Sequence, residues 1–144
     1  MTRFYLCLTV VALALLLAGG PAAAQDVKPY VDRGIENCQS GRYDQALKDF
    51  NDALKLKPKD PTLITYLGVV YYAKGQNDLA TKEFNLALEI DPKFGKAYYQ
   101  RGMIFENQEK YAQAVEELKK AKSLGYGVDP VFIEGLEKKA AAKK

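Results

Sequence analysis

Residues 61–94 read PTLITYLGVVYYAKGQNDLATKEFNLALEIDPKF, and the stretch returns when the chain is shifted by 34 positions in either direction. Gly34, Gly68 and Gly102 fall in step. So do Ala46, Ala80 and Ala114, and then Ala53, Ala87 and Ala121. Phe50 and Phe84 are followed by Leu118, and Leu56 and Ile90 by Leu124. Tyr30, Ile64 and Tyr98 keep an apolar or aromatic residue at a further position. In the second half of each copy the alanine, the large residue and the next alanine stand at i, i+4 and i+7, one face of an α-helix. Alanines let two helices approach closely, and the larger residue fills the space beside them. A glycine inside a helix costs about 1 kcal/mol relative to alanine. Three of them in step predict a neighbour that passes too close for a Cβ. One such hairpin cannot bury its own apolar face, so the copies must stack.

The middle copy contains Ile64-x2-Leu67-Gly68-x2-Tyr71, then Ala80-x3-Phe84, then Pro92. This pattern resembles the tetratricopeptide repeat and departs from it only where the family has a tryptophan and this chain has Ile64. The resemblance spans residues 27–128 as copies 27–60, 61–94 and 95–128, within a repeat region of 25–128. It implies an all-α, right-handed solenoid of three helix-turn-helix repeats. The first helix of each repeat (A) should cover about Lys28–Gln39, Thr62–Ala73 and Lys96–Asn107. The second (B) should cover about Tyr43–Lys57, Asp78–Ile90 and Tyr111–Leu124. Breaks are expected at Ser40-Gly41, Lys74-Gly75 and Gln108-Glu109.

The third copy loses its proline, since Tyr126 stands where Pro58 and Pro92 lead one to expect it. Asp129-Pro130 then supplies an N-cap and a proline at the first helical position. Residues 129–144 read as a capping helix with Phe132, Ile133 and Leu136 on one side and a solvated lysine tail. The first copy departs as well. Asn37 replaces the aromatic seen at Tyr71 and Phe105, which suggests a looser N-terminal cap. Arg33 and Arg101 replace the Leu67 type, and each can bury its stem while sending its guanidinium to a carboxylate at the edge.

By resemblance to the family, partners meet the A-helix faces turned away from the B helices. On that register the groove holds Val31, Ile35 and Cys38, then Thr65, Tyr66, Val69 and Tyr72, then Lys96, Tyr99, Gln100, Met103 and Glu106. This mostly apolar and aromatic face suits an extended peptide or a helix with apolar anchors. The tyrosines have a second reading, as packing between neighbouring repeats. Some family members grip a carboxyl-terminal peptide with a Lys, Asn and Arg clamp. The matching places here are Val31, Ile35, Tyr66, Lys96 and Gln100, of which only Lys96 fits.

The first 24 residues are of another kind. Arg3 is their only charge, and Phe4 to Ala18 is apolar or aromatic except for Thr9. Gly19-Gly20-Pro21 and an Ala-x-Ala site follow. This is the pattern of a secretory signal peptide over residues 1–24, cut after Ala24. Its apolar core spans about 22 Å as a helix, short of the roughly 30 Å of a bilayer's hydrocarbon. The expectation is an exported protein, periplasmic or secreted, with no membrane span after cleavage; retention as an N-terminal anchor is the alternative. Cys7 leaves with such a segment, so Cys38 is left unpaired in an oxidising compartment. It serves there as a small apolar filler, or else in an intermolecular disulfide or as a labile thiol facing the groove.

The composition argues against several functions. Of the 144 residues, 21 are Lys or Arg and 18 are Asp or Glu, for a net charge of +3. The charges are mixed along the chain, which predicts no nucleic-acid partner. There is no histidine for general-base work and no spaced Cys/His set for a metal. Carboxylates such as Glu116 and Glu117 sit on amphipathic helices, where they read as a solvated face. No cofactor and no catalysis are expected. The reading is a non-catalytic protein-protein interaction module, an adaptor or assembly factor in an envelope complex. A self-associating scaffold, giving a homo-oligomer, and an accessory subunit of an envelope enzyme are the alternatives.

Overall fold

The computed structural model describes residues 26–143. The proposed signal segment, residues 1–24, lies outside the described residues, and Cys7 with it. Among the described residues seven helices follow one another: α1 Lys28–Gln39, α2 Tyr43–Leu56, α3 Pro61–Ala73, α4 Asn77–Ile90, α5 Gly95–Asn107, α6 Tyr111–Ser123 and α7 Pro130–Ala142. The ends differ from the expected ones by no more than a residue, the ordinary uncertainty of a helix terminus.

Local chemistry sets those ends. The Asp60 carboxylate accepts from the backbone N–H groups of Thr62, at 2.8 Å, and Leu63, at 3.2 Å. It thereby satisfies two of the donors that a helix start leaves unpaired, with Pro61 next in line. Asp129 does the same for Val131 at 2.9 Å, ahead of Pro130. The A helices all end alike. The N–H groups of Gly41, Gly75 and Glu109 donate to the carbonyls of Cys38, Tyr72 and Glu106. Those of Arg42, Gln76 and Lys110 reach back to Asn37, Tyr71 and Phe105. This is the Schellman turn, which needs a left-handed residue at its centre. Gly41 and Gly75 supply it at φ 71° and 74°, whereas the third repeat forces Glu109 to φ 56°.

Helices α1/α2, α3/α4 and α5/α6 form three antiparallel pairs; each pair packs on the next, and α7 packs on α6. All six column alanines are fully buried. The column glycines do what their spacing predicted, with one refinement: the close neighbour is a side chain of the paired B helix. A Cβ on Gly34 would lie 2.7 Å from the Phe50 ring. At Gly68 the Phe84 ring is closer still, and at Gly102 the nearest atom is Leu118 Cγ at 3.0 Å. Among the described residues three clusters make up the core, around Phe50, Phe84 and Leu118.

Two expectations about the ends of the array need correction. Asn37 does not loosen the first repeat. It is buried, donates to Asp49 Oδ2 at 2.8 Å and accepts from Arg42 Nε at 2.7 Å. A satisfied polar node replaces the aromatic there. Nor is the lysine tail only solvated. Lys143 pairs with Glu109 at 2.8 Å, Lys119 reaches Glu137 at 2.6 Å, and the ammonium groups of Lys139 and Lys143 each lie 5.3 Å from the Tyr111 ring. Charge as well as Ile133 and Leu136 holds α7 to the third repeat.

Candidate functional site

The expected groove residues lie on α1, α3 and α5. Eleven of the twelve are half-buried, the state of a surface that is shaped but open. Thr65 is the exception and a correction: it is 0% exposed, so it offers nothing to a ligand. It stands in one column with Val31 and Tyr99, but α3 is flanked by helices on both sides, which closes that column in the middle repeat. Its Oγ1 has no hydrogen-bond partner among the described residues.

The tyrosines pack between repeats and stay partly accessible. Tyr66 stacks on Phe50 of the preceding repeat, ring centres 5.1 Å apart and planes 19° apart. Tyr99 meets Tyr126 at 5.0 Å. Ile35, Cys38 and Tyr66 pack around the Phe50 cluster, and Val69 and Tyr72 around the Phe84 cluster. Each leaves part of its side chain accessible.

Lys96 supplies the charge. Its ammonium lies 4.4 Å from the centre of the Tyr66 ring and has no carboxylate within salt-bridge distance among the described residues. Burial pushes its pKa below the ordinary lysine value. Glu106, by contrast, faces Lys139 of α7 at 3.9 Å. Gln100 and Met103 are half-buried beside them. Among the described residues Cys38 is a free thiol whose pKa is raised by burial, so it is less ionised than an exposed cysteine.

Sequence reasoning missed Tyr126. With Thr62, Phe94, Gly95, Lys96, Leu124 and Gly125 it lines a hollow of about 370 Å³. A tyrosine in the proline column with a glycine on either side was the available signal. Among the described residues no group of three or more His, Cys, Asp or Glu could hold a metal. No described helix is long and apolar enough to cross a membrane.

Comparison with known proteins bears directly on this architecture. A family model described as "TPR repeat" matches residues 34–75 and again 68–109, and one described as "Tetratricopeptide repeat" matches 95–124. No curated protein matches the chain. Among solved structures, the Sgt2 TPR domain from Aspergillus fumigatus is similar at 24% identity and TM-score 0.70, over 85% of this chain and 84% of that one. The first TPR of Spaghetti (RPAP3), bound to the HSP90 peptide SRMEEVD, is similar at 22% identity and TM-score 0.69, over 86% and 98%. The Yersinia enterocolitica type III secretion chaperone SycD, in complex with a peptide of the translocator YopD, gives 22% and 0.67, over 81% and 94%. Likeness at this identity speaks for the fold. The matched repeat models cover most of the described helices, and the chain belongs to the tetratricopeptide repeat family.

Proposed function

We propose that this chain is an exported, non-catalytic binding module that holds a peptide or helix of a partner protein in its concave groove, as an adaptor or assembly factor in an envelope complex. The observation that carries the reading is the half-buried Lys96, without a carboxylate partner among the described residues and set over Tyr66 among tyrosines and aliphatic side chains. A desolvated cation without a counter-charge is costly to keep. A ligand that brings a carboxylate offsets that cost and covers the apolar walls with its flanking residues. The similar structures named above that hold peptides support a peptide-binding use of the fold. Residues 1–24 support export.

The test is a photo-crosslinking residue in place of Tyr72, in the native host. Capture of one envelope protein supports the adaptor. Capture of this chain alone favours the self-associating scaffold. If a probe on an outward B-helix face captures a partner and the Tyr72 probe does not, the groove assignment is wrong. The mass of the protein recovered from cells tests export: a chain that still carries residues 1–24 in full refutes cleavage after Ala24.

A further inference from the structure

Arg101 on α5 sits between two B helices. Its Nε and Nη2 donate to the two carboxylate oxygens of Glu117 on α6, at 3.1 and 2.6 Å, and its Nη1 donates to Asn85 Oδ1 on α4, at 2.7 Å. One repeat earlier the same columns hold Leu67, Glu83 and Asn51. The acceptors are kept and the donor is gone. Leu67 is 6% exposed and belongs to the Phe50 cluster, so it replaces the arginine stem but not the guanidinium. Among the described residues Glu83 has neither an ion pair nor a side-chain hydrogen bond, and burial raises its pKa. Asn51 spends its Nδ2 on the Leu47 carbonyl at 2.8 Å, leaving Oδ1 without a donor.

The neighbourhood differs too. Leu79, Glu83 and Leu86 stand at i, i+4 and i+7, one face of α4. Leu79 and Leu86 are each 42% exposed. The other repeats carry Gln45 and Asp52, or Gln113 and Lys120, at those two places. Only the middle repeat sets an unpaired carboxylate between exposed leucines.

We propose that the outward furrow between α2 and α4 docks an arginine-bearing segment of a partner protein, whose guanidinium sits beside Glu83 and Asn51 as that of Arg101 sits beside Glu117 and Asn85. The leucines receive apolar residues on either side of that arginine. A planar, forked donor set matches a carboxylate plus an amide oxygen better than an ammonium does. Two partly exposed leucines are far less than the roughly 800 Å² per side that a standard interface buries. A short segment with one side-chain anchor therefore fits this face, and a second copy of the chain does not. The site is distinct from the concave groove and does not depend on it.

The test uses the full chain and a fluorescent helical peptide whose single arginine has a leucine one turn to either side. Fluorescence anisotropy should show saturable binding. Changing the peptide arginine to glutamine, or Glu83→Gln in the protein, should each weaken it about tenfold or more, and both together no further. Leu67→Arg should fill the furrow from within and abolish binding, with circular dichroism checking its fold; Glu83→Gln decides if that variant does not fold. Absence of saturable binding, or equal binding by the Glu83→Gln protein, overturns the proposal. So does loss of binding by Tyr72→Ala with none by Glu83→Gln, which puts the peptide in the groove. A dimer by sedimentation that Glu83→Gln dissolves would make the occupant a second copy and overturn it as well.

Discussion

The outer repeats carry an arginine where the middle repeat carries Leu67, and the carboxylate on the paired B helix behaves differently in the two settings. In the first repeat Asp49 is 4% exposed and takes hydrogen bonds from Arg33 and Asn37. In the third, Glu117 is gripped at two oxygens by Arg101. In the middle, Glu83 has no such partner among the described residues. One fold position thus does two jobs: it ties helices together at the ends of the array and leaves an open acceptor at its centre. Removing Asp49 breaks the contrast most sharply. Asp49→Ala strands the buried Asn37 amide and frees Arg33, so it should cost about 2–3 kcal/mol in urea unfolding. Glu83→Ala breaks nothing and should stay within about 0.5 kcal/mol. Equal losses would mean that the two carboxylates are not different in kind.

The glycine column sharpens the comparison next. Gly68 faces the rigid Phe84 ring, while Gly102 faces the more adaptable Leu118. Gly68→Ala should lose about 2 kcal/mol, overpacking outweighing the gain in helix propensity. Gly102→Ala should fall within about 0.5 kcal/mol of the parent, because a leucine can turn aside. Phe84→Leu combined with Gly68→Ala sets an alanine against a leucine, as Gly102→Ala does in the third repeat, and the combination should cost less than the two changes summed. Thermal midpoints of the four proteins suffice, and strict additivity would show that ring and glycine do not touch.

The legible part of this molecule was the part that repeats. Ala46, Ala53, Gly34 and Phe50 and their partners in the other two copies could be read because packing between identical helix pairs imposes one residue type at one spacing. The expected Arg33 and Arg101 ion pairs followed from the same columns. What could not be read lies where symmetry ends. Asn37 looked like a defect because its partners, Asp49 and Arg42, become neighbours only when α1 folds on α2. Lys139 and Lys143 looked like a tail because Tyr111 and Glu109 are brought to them by the turn before α7. Thr65 was placed in the groove by register alone, and register does not say that α3 has helices on both sides. Family resemblance pointed to the groove face. The choice between ligand contact and repeat packing at Tyr66 and Tyr99 was open in the sequence because one ring can do both.

The turns after the A helices distinguish the third repeat from the other two by a smaller amount. Gly75→Ala puts a Cβ on a residue at φ 74° and should cost about 1 kcal/mol. The reverse exchange, Glu109→Gly, removes a left-handed non-glycine residue but also loses the Lys143 pair. It should raise the thermal midpoint slightly at high salt, where that exposed pair is already screened, and less so at low salt. A fall at both salt concentrations would show that docking of α7 through Lys143 outweighs the backbone strain.

The smallest effect isolates the open acceptor itself. Burial raises the pKa of Glu83 in the native state above its ordinary 4.5. Between 4.5 and that raised value the folded chain binds more protons than the unfolded one, so this group makes stability rise as pH falls through the window. Above the window the desolvated charge is a standing cost. Glu83→Gln removes it and should be slightly more stable than the parent at pH 7, with the gap closing on acidification. Other carboxylates titrate in the same range, but they cancel in the difference between the two proteins. Leu67→Arg should reverse the sign: a guanidinium beside Glu83 lowers its pKa, so the same glutamine exchange made in that background should destabilise at pH 7 and become neutral in acid. A gap that does not move with pH in either background would mean that Glu83 is not desolvated. The middle repeat would then differ from its neighbours only in lacking an arginine, and not in holding an acceptor without a donor.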